Sequence, residues 1–218
     1  MTLARIPPEP VRQTFGAMPM SLPRAASRAA LCAALLLPAL CLAHVGADAV
    51  EHHGTATWLA GFAHPFVGVD HLAAMVVLGV WSALTAQRVW LAPLVFAATL
   101  AVGALIGLAG IALPGVEPMI AASLLVLGLL LALGTKLPAV GGSTVAAVFA
   151  LFHGAAHGQE LAGHDALWAL AGMVVATALL LAAGIGLGML LRQRSVWLPR
   201  VTGAGVAMLG SALLARFA

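Results

Sequence analysis

Two groups of histidines and carboxylates stand out in a chain with little other polar chemistry. The segment Phe152-His153-Gly154-Ala155-Ala156-His157-Gly158-Gln159-Glu160 carries His153, His157 and Glu160 at i, i+4 and i+7. On a helix these positions form one stripe. An i, i+4 histidine pair can present both imidazoles to one divalent transition metal. Gly154 and Gly158 flank the pair and leave room for an ion or a second helix. They could also let the helix open, as in transporter helices broken at a binding site. The second group is His64-Pro65-Phe66-Val67-Gly68-Val69-Asp70-His71. His64 and His71 are seven residues apart, within about 20° of one helix face. Asp70 points away from that face on an ideal helix. It can hold an imidazole from behind, or reach the site itself if Pro65 and Gly68 make the helix irregular. If Pro65 opens the helix, His71 lies about 9 Å further along it. Four imidazoles with one or two carboxylates and no sulfur suit Ni, Co, Zn or Cu(II) better than Mg, Ca or Cu(I).

The elements that carry these residues belong in a membrane. Of 218 residues 62% are apolar and 8% charged, against roughly 45–50% and about 25% in a soluble domain. That balance excludes a water-soluble globule, and it is the reverse of a disordered chain. Six apolar runs of membrane length fall near 62–84, 89–110, 117–134, 143–161, 166–191 and 197–216. The predicted fold class is therefore all-α, a polytopic bundle of six transmembrane helices with short connections and antiparallel neighbours. Gly103 with Gly107, and Gly184 with Gly188, have the small-xxx-small spacing of close helix contacts.

Residues 1–43 read as a secretory leader. A basic stretch ending at Arg28 precedes the apolar segment Ala29 to Leu37, and a short run ends at Ala43. Its length makes Met18 and Met20 alternative starts. Leu40 before Cys41 argues against a lipoprotein. Cleavage removes both cysteines and leaves six acids and six bases in residues 44–218, although the whole chain carries +3. No basic footprint for nucleic acid survives. With the mature N-terminus outside, Arg88, Lys136, Arg192, Arg194 and Arg200 fall at cytoplasmic ends, as the positive-inside rule requires. Arg216 is the exception. All eight histidines then lie outside the membrane or in its outer half.

His64-Pro-x-x-Gly-x-Asp70-His71 and Phe152-His-Gly-x-Ala-His-Gly-x-Glu160 resemble the two signature motifs of the HupE/UreJ family of bacterial nickel or cobalt permeases, associated with hydrogenase and urease maturation. The resemblance covers the chain after residue 43. It implies that His64, Asp70, His71, His153, His157 and Glu160 handle the metal. The expected function is a permease of the bacterial inner membrane importing Ni2+, with Co2+ as the alternative. No enzyme activity and no cofactor are expected; the partners are the ion and the bilayer.

Plainer readings stand beside these. The His153/His157/Glu160 stripe could be a polar seam between helices, but one hydrogen bond would need fewer polar groups. Met75, four residues after His71, reads as packing. His44, which cleavage would make N-terminal, and Glu51-His52-His53 are either a solvated tail or an ion-collecting one, and His164-Asp165 is a loop pair. Trp58, Trp90, Trp168 and Trp197 suit interfacial anchors. The two halves of the bundle would be oppositely oriented, compatible with an inverted repeat and alternating access. No phosphate-binding glycine loop suggests ATP driving. The rival class is an intramembrane metalloenzyme or haem protein. The shared face of His153 and His157 would crowd a porphyrin, and the His-Glu-x-x-His order of zinc peptidases is absent.

Overall fold

Apolar runs interrupted by Gly, Pro and single charges give helices and tight connections. In the computed structural model, which describes residues 57–161 and 165–218, there are seven α-helices and, among the described residues, no strand. They are α1 (Trp58–Val67), α2 (Val69–Thr85), α3 (Leu91–Leu108), α4 (Val116–Leu133), α5 (Ala139–Glu160), α6 (Ala166–Arg192) and α7 (Trp197–Leu214). Four of them, α3 to α6, are long and apolar enough to cross a membrane, and α1 with α2 makes a fifth crossing if counted as one bent span. The helix α7 carries Pro199 and Arg200 in its first turn and falls outside that set. The proposed leader lies outside the described residues.

The expected span near 62–84, whose regularity Pro65 and Gly68 left open, is two helices that meet at 81°. Thr57 caps α1, its hydroxyl accepting the amide of Ala60 at 3.2 Å. Pro65 stays inside α1, and the break falls at Gly68, whose backbone is extended at φ −79°, ψ 110°. Proline removes one amide from the ladder of α1, and glycine is the weakest helix former next to it. His64 and His71 consequently do not share one helix face.

In lipid the hydrophobic effect does not drive helices together, so close van der Waals contact must. Here α3 packs chiefly on α5, α4 on α7, and α6 on both α1 and α2. Each pairing is built on glycine. A Cβ at Gly154 would lie 2.0 Å from the Leu100 carbonyl oxygen, and one at Gly158 2.1 Å from that of Ala104. Gly103 and Gly107 meet the Leu151 and Ala155 carbonyls in the same way from the α3 side. Of the roles open to Gly154 and Gly158, seating a second helix is the one observed. Gly184 faces Gly79 and Val76 of α2, and Gly128 of α4 faces Gly203 of α7. Ser211 donates to Ala207 O at 2.9 Å and Ser123 to Ile120 O at 2.6 Å, both within their own helices.

These pairings also sort the charges. The indole N–H of Trp81 donates to Thr135 O at 2.9 Å, joining the C-terminal ends of α2 and α4. Gly188 packs on Val80 and Ala83, bringing the end of α6 to the same place. Arg88, Lys136, Arg192, Arg194 and Arg200 thus gather at one end, while Asp70, Glu117, Glu160 and Asp165 lie toward the other.

Candidate metal centre

Three helices bring the predicted residues together at the acidic end. The last turn of α1 holds His64, the first turn of α2 holds Asp70 and His71, and the last two turns of α5 hold His153, His157 and Glu160. The bend at Gly68 sets α1 across the end of α2, so His64 reaches Glu160 with Nε2 3.1 Å from Oε2. A Cβ at Gly68 would sit 3.0 Å from both Asp70 Oδ1 and His71 Nδ1, so the bend and the site share one residue without a side chain.

His157 is the hub. Its ring centroid lies 4.4 Å from that of His71 and 4.6 Å from that of His64, and His71 lies 5.0 Å from His153. Burial deepens along this series. The side chains of Glu160 and His64 are 55% and 46% exposed, whereas His157 retains 2%. His153 is fully buried, with the Phe96 ring 5.9 Å away.

The hydrogen bonds fix which nitrogen of each ring is free. Asp70 Oδ1 lies 2.9 Å from His71 Nδ1 and accepts the His71 backbone amide at the same distance, satisfying an orphan amide of the first turn of α2. His153 Nδ1 lies 2.9 Å from the Phe149 carbonyl. A carbonyl and a carboxylate only accept, so in both rings Nδ1 carries the hydrogen and Nε2 keeps a lone pair. His157 Nδ1 makes a longer approach of 3.5 Å to Glu160 Oε2. The Nε2 atoms of His71, His153 and His157 are all buried and, among the described residues, without a partner. Such groups are rare, because an unpaired buried polar atom is costly. The rings of His153 and His157 both lie beside that of His71, and each of the three offers one Nε2 lone pair to a cation.

A second triad lies at the mouth. One ligand atom each from His64, His157 and Glu160 falls within a mutual distance of 4.8 Å. Two nitrogen or oxygen ligands about 2.1 Å from one ion are at most about 4.2 Å apart. His64 Nε2 and Glu160 Oε2, 3.1 Å apart, already meet that limit.

All six predicted residues are in this region. Asp70 stands behind His71, the first of its two possible places. Met75 belongs to the fully buried apolar core. His44, His52, His53 and His164 lie outside the described residues. The Phe149 carbonyl and the Phe96 ring were not singled out from sequence. Phe149 is four residues before His153, so the helical period places its carbonyl beneath that ring.

Helices of membrane length around a histidine–carboxylate cluster define a polytopic membrane protein with the ligand chemistry of a transition-metal site. The sequence matches the HupE / UreJ protein family over residues 32–213. A curated relative, Protein HupE of Rhizobium leguminosarum bv. viciae, is 44% identical over 185 residues, covering 84% of this chain and 94% of the relative. The chain belongs to the HupE/UreJ family, which is linked to nickel or cobalt transport. No solved structure matches it.

Proposed function

We propose that the chain is an inner-membrane permease that takes up Ni2+, with Co2+ as the alternative cargo, for maturation of a metalloenzyme such as hydrogenase or urease. Residues 1–43 are its cleaved leader, six spans follow, and the acidic end with its histidines faces outward. The observation that carries this reading is the set of three buried Nε2 atoms on His71, His153 and His157, unpartnered among the described residues.

Entry begins at the exposed His64 and Glu160, where the carboxylate offsets part of the ionic charge as water is shed. His157 belongs to both groups, so its ring lies between the mouth and the inner position. At the inner position His71, His153 and His157 replace water with imidazole nitrogen. Asp70 fixes the tautomer and direction of His71 and adds a compensating negative charge, as partners behind metal-binding histidines commonly do. Beyond the rings α2 continues through buried Ala74, Met75 and Leu78, and α5 passes through Ala150 and Ala146. The site is closed toward the basic end, so release requires the helices to rearrange.

Accumulation of radiolabelled nickel and cobalt in cells lacking other importers tests the reading. With equal protein in the membrane, His71→Ala and His153→Ala are expected to abolish uptake of the cargo ion. Unchanged accumulation in both would overturn the assignment.

A further inference from the structure

The basic end holds a second site. A cavity of about 370 Å³ opens where α2, α3, α4 and α5 end, with Arg88 and Lys136 in its wall beside buried Trp81 and Gly142. Both bases sit on pinned connections. The α4–α5 connection turns at Gly134, φ 62°, where the Thr135 amide donates back to Leu130 O and the Thr135 carbonyl accepts the Trp81 indole. The α2–α3 connection is held by Ser82, which donates to Val89 O at 2.7 Å. Neither Arg88 nor Lys136 forms an ion pair among the described residues, and no acid lines the cavity.

Arg88, Leu91 and Ala139 also line a second, shallower hollow of about 470 Å³. It runs along α3 and α5 past Val95, Val140 and Ala147, an apolar groove on the side of the helices. Ser143 is on this groove, and its buried hydroxyl has no partner among the described residues. Arg88 and Lys136 put two cations at this cavity with no acid lining it. They attract an anion, and the groove extends the same surface to an apolar chain.

The geometry points to a site for an anionic glycerophospholipid, its phosphate between Arg88 and Lys136 and one acyl chain in the α3–α5 groove. Basic hollows between membrane helices on the cytoplasmic side recognise anionic headgroups through this combination. A free anion would leave the groove unused. The described part of a second copy, oriented the same way in the bilayer, would bring no acid to these bases, because Asp70, Glu117, Glu160 and Asp165 all lie toward the other end. The inference depends on the chain being embedded in a membrane and not on the transport reading.

Native mass spectrometry of the purified full chain in neutral detergent tests it, with dioleoyl phosphatidylglycerol, dioleoyl phosphatidylcholine or inorganic phosphate added. Retention of phosphatidylglycerol over phosphatidylcholine is expected. At about fivefold per base, the Arg88→Gln/Lys136→Gln variant should lose roughly 25-fold of that preference. Ala147→Phe, which fills the groove and keeps both bases, should weaken diacyl lipid binding by itself; Arg192→Gln/Arg194→Gln should not. Equal retention of the two lipids, or an unchanged preference in both site variants, overturns the proposal. Full competition by inorganic phosphate would make this an anion site, and a dimer lost in Ala147→Phe would make it an interface; either overturns the lipid assignment. Nickel accumulation measured in the same variants reports on transport separately.

Discussion

The two histidine-bearing segments contain similar residues and fold in opposite ways. Both place glycines among their histidines, yet α5 runs unbroken through Gly154 and Gly158 while the first segment breaks at Gly68. The difference lies in what each glycine faces. Gly154 and Gly158 lie against the Leu100 and Ala104 carbonyls of α3, so their missing side chains are filled by a neighbouring main chain and the helix is held straight. Gly68 follows Pro65, has no such neighbour, and faces the Asp70–His71 pair of its own segment. One segment is a fixed wall carrying two buried rings. The other is an elbow that brings His64 over the mouth. Glycine content alone does not say whether a membrane helix packs or opens; the opposing surface decides.

Changes to the fixed wall should have the largest effect. Gly158→Val would drive a branched side chain into the Ala104 carbonyl, forcing α3 and α5 apart. Overpacking of this kind costs about 1–3 kcal/mol or more, and with the histidines displaced, uptake should vanish. Folded yield by size-exclusion chromatography in detergent and nickel accumulation would show both effects; a well-folded, active variant would break the comparison.

Asp70→Asn preserves shape and removes the charge behind His71. Loss of a comparable partner typically costs about 10–100-fold in metal affinity or activity, and isothermal titration with Ni2+ should place this variant in that range. Proton and ion compete for the same imidazole lone pairs, because imidazole binds metal only as the free base. Initial uptake at fixed free metal should therefore fall as external pH is lowered. A flat profile down to about pH 5 would remove imidazole from the loading step.

The smallest change is expected at the elbow. In Gly68→Ala the new Cβ would sit 3.0 Å from Asp70 Oδ1 and His71 Nδ1, a crowding that a slight shift of the pair can relieve. A few-fold drop in uptake with normal folded yield is expected. A collapse as severe as that of Gly158→Val would show that the elbow is as rigid as the wall.

Much of this was legible in the sequence. The helices α3 to α6 lie close to the apolar runs, because long uncharged stretches in lipid have few alternatives to helix. The α5 stripe also emerged as read, since a 3.6-residue period suffices once the helix is straight. The elbow did not. Pro65 and Gly68 both disturb a helix, and the choice between them depends on α6, where Gly172 takes the carbonyl of Trp58 against itself and seats α1. Such tertiary contacts are invisible to local pattern. The same applies to Asp70, whose angle on an ideal helix left two roles open until the break put its oxygen beside His71 Nδ1.

The order of helix pairing has a mechanical consequence. Exchanging the first three proposed spans with the last three turns the α3–α5 contact into the α6–α2 contact and returns the α4–α7 contact to itself. At that self-matched crossing, a Cβ on Gly128 would lie 2.7 Å from the Gly203 carbonyl oxygen, and a Cβ on Gly203 2.7 Å from that of Gly128. The bundle is thus two arms with the same order of contacts, joined at the α4–α7 crossing, where Gly128 and Gly203 lay main chain directly against main chain.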